Sequence, residues 1–354
     1  MRIAINDFIS SRGTSGSSVA GRAVSSALDS SGFELINLSP SKYRRGRRIV
    51  NLALMLSWDL FGAARSARHE RADVMVNFVN TGLGWNRHTI NVLHDTMVLD
   101  HPGYFDLGYR LYSRVTFGVS VRCAQINIVP SEHTKSRALI RWPSARFRVI
   151  PWPAVRERAS RPREESGSLN IVAIASADKH KRLPMLIQVA QELRSSTGID
   201  FQLKLIARHG NDIDALEREI HSQSTDANSN WIDFIRYPVS DSELEDLIRN
   251  SFCVASSSID EGFCLPLLEA ALLGVPVVHT GRGAMSEVVP LSANRTPADR
   301  LEFDRKMLLD QLVDLTDSNF WKDEAARSWL RSSGFEANDF ADSWRDVVRG
   351  VASA

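Results

Sequence analysis

Two carboxylates eight positions apart stand out as groups that could do chemistry. Glu261 and Glu269 lie in the stretch SSSIDEGFCLPLLEAALLGVPVV. Pro266 suits the first turn of a helix and Gly274 suits its end, so we predict Glu261 on a loop and Glu269 about one turn inside the helix. The free N–H groups at the start of such a helix form an anion site. Acids on either side of that site could accept hydrogen bonds from the hydroxyls of a nucleotide sugar.

The composition is that of an ordinary folded protein with room for two domains. The chain has 354 residues, of which 43% are hydrophobic and 24% charged. The cysteines are far apart, odd in number and without zinc-site spacing, so we expect buried, reduced thiols in a cytoplasmic protein. They are Cys123, Cys253 and Cys264. The start, MRIAIND, does not have the pattern of a signal peptide, and no run of eighteen apolar residues predicts a spanning helix.

Charge is divided unequally along the chain. The net charge is +1, yet residues 1–167 hold 24 Lys and Arg against 13 Asp and Glu, and residues 168–354 hold 19 against 29. Such asymmetry indicates an anionic surface or ligand on the basic side. The alternative is two domains whose surfaces simply attract each other.

Short apolar runs alternate with amphipathic stretches, a pattern typical of α/β proteins with parallel sheets. Helices are expected near 17–30, 48–70, 105–122 and 132–141, and again in three stretches of the second half. Ser240 and Glu243 form a predicted capping box before the last of those three. The predicted strands are RIAIN, FELINL, DVMVNFV, TINVLHD and QINIVP, and then LNIVAIAS, FQLKLIA, WIDFIRY, FCVASSS and VPVVHT.

A stretch rich in proline and charge, WPAVRERASRPREESGS, separates the two series of strands and has the composition of a linker. We therefore predict a first domain over 1–155, a linker over 156–167 and a second domain over 168–334. The remaining residues, 335–354, are predicted to form a helix that returns to the first domain. Ligands of open parallel sheets bind beyond the carboxyl ends of the strands, so the sites are expected on strand-to-helix loops.

The string EGFCLPLLEA, followed by GVPVV and AMSEVV, resembles the E-x7-E region of retaining glycosyltransferases of family four. The resemblance implies the GT-B fold, in which two Rossmann-like doubly wound α/β domains face a central cleft. It also implies that Glu261 contacts the donor sugar and that Glu269 contacts the nucleotide ribose. Backbone amides after the first acid are implied to line the sugar and phosphates; these belong to Gly262, Phe263, Cys264 and Leu265.

The sequence departs from the family at Cys264, where glycine is usual. A cysteine can supply the same backbone amide provided that its φ angle stays negative. If the loop needs a positive φ at this position, a cysteine is expected to change the loop and the placement of the sugar.

Further residues are implied by the same resemblance. DKHKRLPMLI is similar to the segment whose lysine binds the donor pyrophosphate, which assigns that role to Lys181; the alternative is a solvated basic helix start. Many relatives carry an arginine five positions earlier, where this chain has Ser176. Arg208, at the end of LIARHG, or Lys179 is expected to compensate.

In the first half, NVLHDTMVLDHPGYF resembles the family's His-Asp segment, which implies that His94 reaches the donor sugar. The alternative is a structural histidine. Ser131 is a plausible helix N-cap. The loop ISSRGTSGSSVAGRAV fits neither the dinucleotide nor the Walker glycine pattern. We expect it to face the cleft, with Gly16 allowing close approach of the donor phosphate or acceptor.

A basic segment precedes an apolar, aromatic one near residue 50. Trp58 and Phe61 could lie in an anionic membrane interface or pack in the core. For the arginines we favour membrane or phosphate contact; nucleic acid fits poorly because charges and aromatics are not interleaved. The basic residues are Lys42, Arg44, Arg45, Arg47 and Arg48.

The implied activity is retaining transfer of a hexose-type sugar from a nucleotide-diphosphate donor to a glycan or lipid-linked glycan hydroxyl, in bacterial surface polysaccharide assembly. No cofactor or metal is expected; Lys181, Arg208 and helix amides would meet the charge of the leaving diphosphate. The expected location is cytoplasmic, with peripheral contact to the inner membrane face. The alternative is a non-catalytic nucleotide-sugar or carbohydrate-binding module on the same fold. A dinucleotide-dependent oxidoreductase is disfavoured because the glycine fingerprint is missing.

Overall fold

The structure is a computed structural model that describes residues 1–6, 16–39, 54–78, 80–82, 88–153, 156–164, 168–207, 210–223, 231–292, 301–335 and 337–354. The chain divides into two units. The first comprises Met1–Val155 and Phe335–Ala354, and the second comprises Arg156–Gly334. Each unit is built around its own parallel sheet with helices, so the predicted α/β class with two Rossmann-like domains is confirmed.

The first unit has a six-stranded parallel sheet in the order β2-β1-β3-β4-β5-β6. Its strands are β1 (Arg2–Asn6), β2 (Glu34–Leu38), β3 (Val74–Asn77), β4 (Thr89–Val92), β5 (Ile126–Val129) and β6 (Phe147–Val149). Its helices include α1 (Gly16–Ser30), α2 (Ala63–His69), α3 (Met97–Asp100), α4 (Leu107–Cys123) and α5 (Glu132–Arg141). A π-helical turn, Trp58–Gly62, leads directly into α2.

A row of four buried asparagines crosses this sheet. They occupy in-register positions on β1, β3, β4 and β5, and none is exposed to solvent. In-register residues of parallel strands point to the same side, so the amides form one row. Asn6 Nδ2 donates to Asn77 Oδ1 at 3.2 Å, and Asn91 Nδ2 donates to Asn127 Oδ1 at 2.9 Å. Buried polar pairs of this kind penalise a shift in strand register.

The second unit has a five-stranded parallel sheet in the order β11-β10-β7-β8-β9. The strands are β7 (Asn170–Ile174), β8 (Gln202–Ile206), β9 (Ile232–Ile235), β10 (Cys253–Ser256) and β11 (Val277–His279). The helices are α6 (Leu183–Thr197), α7 (Ile213–Gln223), α8 (Asp241–Arg249), α9 (Leu265–Leu272), α10 (Met285–Val288), α11 (Asp304–Asp314) and α12 (Ser318–Ser332). The first strand of the unit, β7, therefore lies between β8 and β10, where the strand order reverses.

The last helix, α13 (Ala337–Ala352), belongs to the first unit, where it packs on α1, β3 and β4. Trp344 is completely buried, and Phe340 packs edge-on against Trp152 with ring centroids 6.4 Å apart. The ring Nδ1 of His88 lies 2.7 Å from the carbonyl oxygen of Val351. The end of the chain is thus part of the core of the first unit.

The local predictions hold with three differences. All ten predicted strands are present, and the Ser131 and Ser240 caps form as expected. The short edge strand β6 was not predicted, since Phe147–Val149 lacks a distinct apolar run. Part of the helix expected over 48–70 is a π-helical turn, and residues 48–53 lie outside the described part of the chain. The expected burial of all three thiols is wrong, because Cys123 is exposed and only Cys253 is fully buried.

Candidate functional site

Lys181 and Glu261 come from loops 80 residues apart in the sequence, yet they form an ion pair. Their loops follow β7 and β10, which are neighbours in the parallel sheet, so both loops lie at the same edge. Lys181 Nζ is 2.6 Å from Glu261 Oε1, and Ser258 Oγ donates to the same oxygen, also at 2.6 Å. Within the described residues, Glu261 Oε2 accepts no hydrogen bond, which leaves it available to a ligand hydroxyl.

The loop that carries Lys181 is held by its neighbour Arg182. Arg182 adopts the left-handed conformation, with φ 50°, at the point where a short 3-10 turn passes into α6. Its guanidinium donates to the carbonyl oxygen of Ser257 at 2.8 Å and to the Asp304 carboxylate at 2.6 Å. Asp304 also accepts from Arg282. This arrangement ties the Lys181 loop to the Glu261 loop, so the two charged groups are preorganised.

Helix α9 begins at Leu265, directly after the Glu261 loop. Pro266 is in its first turn, and no side chain caps its amino end. Cys264 is the N-cap residue, and it lies in the left-handed region with φ 77° and ψ 65°. The condition of a negative φ is therefore not met, and the loop keeps the conformation that glycine would favour. The helix itself is almost wholly apolar and buried, which fixes its position beneath the loop.

Glu269, one turn into α9, faces a buried arginine. Its Oε2 lies 3.7 Å from Nε of Arg156, and the two side chains are only 12% and 7% exposed. Burial raises the pKa of the Glu269 carboxyl, and the positive charge of Arg156 acts against this increase. Arg156 also donates to the carbonyl oxygen of Asp241 at 2.9 Å, while its Nε is buried without a hydrogen bond. The positive charge of Arg156 therefore orients Glu269, and the remaining lone pairs of the carboxylate can accept hydrogen bonds from hydroxyl groups.

His94 belongs to the first unit, two residues beyond the end of β4. Its Nε2 lies 2.9 Å from the carbonyl oxygen of Phe78, and its ring packs edge-on to the Phe78 ring. Burial lowers the pKa of His94 to about 4, so the ring is neutral at pH 7. A carbonyl can only accept, so Nε2 carries the proton and Nδ1 is the acceptor. His94 is thus suited to accept a hydrogen bond and not to act as an acid.

The other predicted residues have different outcomes. Gly16 lies in the first unit, where it is the exposed first residue of α1. Arg208 lies outside the described residues, as do the basic residues 42–48 of the proposed membrane segment. Lys179 lies 3.9 Å from Asp212 Oδ1 and is mostly exposed, so it is engaged away from Glu261.

Trp58 is partly buried and donates its indole N–H to Asn6 Oδ1 at 3.0 Å, whereas Phe61 is exposed.

An Asp-x-Asp string, residues 212–214, occurs at the start of α7. Asp212 accepts the backbone N–H of Lys179 at 3.1 Å, and Asp178 accepts that of Asn211, so the two loops brace each other. Over the part of the chain that the structure describes, no three His, Cys, Asp or Glu side chains are grouped to hold a metal ion. Over the same residues, no helix is both long and apolar enough to cross a bilayer.

Three residues of the site were not found from the sequence. Arg156 and Ser258 meet the acids only because of the fold, and no local pattern marks them. Gly283 has φ 62°, and a Cβ there would lie 2.4 Å from the backbone nitrogen of Glu261. The two glycines in TGRGAM were a signal that a backbone approaches closely at this point.

Comparison with solved structures identifies the fold. Structures similar over the full chain include sucrose-phosphate synthase from Thermosynechococcus elongatus and Anabaena HepE in complex with UDP and glucose. The first is 16% identical, with a TM-score of 0.71 and coverage of 100% of this chain and 99% of that one. The second is 15% identical, with a TM-score of 0.71 and coverage of 99% and 100%. The fold is therefore GT-B, as predicted.

Residues 156–297, which lie in the second unit, match the family model described as glycosyl transferases group 1. A curated relative, the MMP α-(1→4)-mannosyltransferase of Mycolicibacterium hassiacum, is 30% identical over 142 residues. That match covers 40% of this chain, and the chain spans about a third (33%) of the relative's length. The resemblance to glycosyltransferases that the Glu261–Glu269 region indicated is confirmed.

Proposed function

We propose that this protein is a retaining glycosyltransferase that moves a hexose-type sugar from a nucleotide-diphosphate donor to a hydroxyl of a glycan or lipid-linked glycan. The observation that carries the proposal is the Lys181–Glu261 ion pair beside the uncapped amino end of α9. A diphosphate at this place would meet a lysine and a helix dipole. The family match over residues 156–297 supports the same class of donor.

In the proposed mechanism each group of the site has one task. Lys181 and the backbone amides of residues 262–265 stabilise the negative charge that grows on the leaving diphosphate. Glu261 accepts a hydrogen bond from a hydroxyl of the donor sugar through Oε2, and Glu269 accepts hydrogen bonds from the ribose hydroxyls. The acceptor attacks from the face that the phosphate leaves, and the phosphate oxygen takes the acceptor proton. No enzyme nucleophile and no metal ion takes part in this mechanism.

A donor screen followed by substitution tests this proposal. UDP, GDP, ADP and TDP sugars are compared by thermal shift, because a real donor stabilises the folded protein by mass action. Glu261→Gln and Glu269→Gln keep the shape but remove the charge, and we expect kcat/KM to fall by about 100-fold, or ~2.7 kcal/mol. The matched control is Glu192→Gln, which alters an exposed acid of α6 that pairs with Arg305.

Two results would contradict the proposal. In the first, both glutamine variants transfer sugar as well as the wild type. In the second, chelation of divalent ions abolishes transfer that added Mg²⁺ or Mn²⁺ restores, which would rule out the metal-independent mechanism. A binding module is the second candidate, because the chain departs from the glycosyltransferase pattern at Ser176 and Cys264. Stabilisation by a donor without turnover on any acceptor would select it.

We further propose that the acceptor is presented at a membrane during assembly of a surface polysaccharide. The support is the basic first unit, whose sequence holds 22 Lys and Arg against 14 Asp and Glu. Positive charge on this scale attracts anionic lipid head groups.

A further inference from the structure

The outer face of α4 is apolar where the fold does not need it to be. Leu107, Leu111 and Val115 follow one another at intervals of four residues, so they line one face of the helix. They are 64%, 59% and 59% exposed. The opposite face is already buried, because Phe117 and Val121 pack with Leu93 and Val98 in the core of the first unit. The outer apolar stripe therefore adds nothing to that core.

Arginines flank this stripe, and among the described residues they have no acidic partner. Arg110 and Arg114 lie on one side of it, and neither side chain forms an ion pair or hydrogen bond with any residue that the structure describes. The sequence of α4 contains no Asp or Glu. Asp106, the nearest acid before the helix, is its N-cap and accepts the backbone N–H of Tyr109 at 2.9 Å. The helix thus presents an apolar stripe edged by uncompensated positive charge.

We propose that the outer face of α4, formed by Leu107, Arg110, Leu111, Arg114 and Val115, docks on the surface of an anionic phospholipid bilayer. An amphipathic helix with a basic edge lies in the membrane interface, with its apolar side among the acyl chains and its cations among the head groups. This inference rests on the proposed function, because a lipid-linked acceptor requires the enzyme to work at a membrane. It places the contact on described residues that are distinct from the basic segment 42–48.

Charge argues against a second copy of the chain as the occupant of this face. In a two-fold dimer the same patch meets itself, so Arg110 and Arg114 of both copies would come together without an acid. An anionic bilayer supplies the opposite charge. Ile140 and Leu330, by contrast, are each the single exposed large apolar residue of their helix and need no partner.

The test is co-sedimentation of the purified chain with vesicles, in the absence of donor and acceptor. Vesicles of phosphatidylcholine alone are compared with vesicles of equal parts phosphatidylcholine and phosphatidylglycerol. We expect binding to the anionic vesicles only. Arg110→Ala with Arg114→Ala should weaken it about 25-fold, at about fivefold per arginine. Leu111→Ser with Val115→Ser should weaken it by about tenfold or more.

Matched controls lie elsewhere on the surface. Arg22→Ala alters an exposed arginine of α1 in the same unit, and Leu330→Ser alters a leucine that is 63% exposed. Both should bind vesicles like the wild type. Glu261→Gln should also bind normally, which separates a failure of the docking face from a failure of the proposed transfer reaction.

Three outcomes would overturn the inference. One is equal binding to neutral and anionic vesicles, and another is undiminished binding by the double arginine variant. The third is a stable dimer in light scattering that Leu111→Ser with Val115→Ser dissociates, which would assign the face to a second copy. Should the apolar variant fail to fold, the arginine variant alone decides, since the side chains of Arg110 and Arg114 form no ion pair or hydrogen bond with other described residues.

Discussion

Among single residues, the charge partner of each acid decides what that acid can do. Glu261 is held by Lys181 on one oxygen and keeps the other oxygen for a ligand. Glu269 is more deeply buried, its pKa is raised by burial, and Arg156 is the positive charge beside it. The two acids of the same helix region therefore depend on different cations, and each cation can be changed separately.

The first prediction concerns Arg156, which we expect to position Glu269. Arg156→Met removes the charge, so the pKa of Glu269 should rise further and the acid should be protonated at a higher pH. The KM for the donor should increase about tenfold, or ~1.4 kcal/mol, with a smaller change in kcat. The acid limb of the pH profile of kcat/KM should also move to higher pH. Arg156→Lys should restore part of the loss, because the charge is kept and only the fork geometry is lost.

The control for Arg156 is two residues further along the same segment. Arg158 stacks on Trp329, with its guanidinium 3.4 Å from the ring centroid, and does not contact Glu269. Arg158→Met should leave the donor KM and the pH profile unchanged. An equal increase in KM for both variants would mean that Arg156 acts only through the stability of this segment.

The second prediction concerns the conformation of Cys264. At φ 77° a side chain costs about 1 kcal/mol or more relative to glycine. Cys264→Ala removes the sulfur and keeps this strain, whereas Cys264→Gly removes both. We expect the glycine variant to be more stable than the alanine variant by about 1 kcal/mol in urea unfolding, the reverse of the usual order. If alanine proves the more stable of the two, the loop does not require a left-handed residue here.

Among the elements, apolar pattern predicts the strands well, because parallel strands buried on both faces read as continuous apolar runs. Segments such as NIVAI and CVAS could therefore be found without a structure. The pattern also placed Glu261 and Glu269 around the start of α9. It could not find β6, since this edge strand is only half-buried. It could not find Arg156 either, because its contact with Glu269 depends on the path of the linker over the second unit.

The buried asparagine row is the element-scale feature that an apolar pattern misses, and it supports a third prediction. Asn91 and Asn127 are paired across β4 and β5. Replacing either asparagine by valine leaves the buried amide group of the remaining asparagine without this partner. Each single substitution should lower the unfolding free energy by about 2 kcal/mol. The double valine variant should cost less than the sum of the two, because the pair is removed together. Strict additivity in urea unfolding would show that the two amides do not interact.

Across the whole molecule, burial lowers the pKa values of three histidines, one in the first unit and two in the second. Burial lowers the pKa values of His94, His180 and His279 to about 4 each. In the unfolded chain such rings take up a proton near pH 6.5. As pH falls from about 6.5 to about 4, the unfolded state therefore binds protons that the folded state does not, and the folded state loses stability. The buried acids Asp59 and Glu269 act in the opposite direction, since burial raises their pKa values.

His279 isolates the histidine contribution and gives the fourth prediction. Its Nε2 lies 2.9 Å from the carbonyl oxygen of Val289 and its Nδ1 accepts the N–H of Gly281, so a second ring proton would point at a donor. The contribution of His279 to the free energy of unfolding should not change with pH above about 6.5. Between pH 6.5 and 4 this contribution should fall by about 3 kcal/mol. His279→Gln should have a shallower acid slope than the wild type, and the comparison cancels the shared effects of Asp59 and Glu269. His221→Gln, an exposed change on α7, should keep the full slope; equal slopes for both variants would show that burial of His279 does not control the acid response.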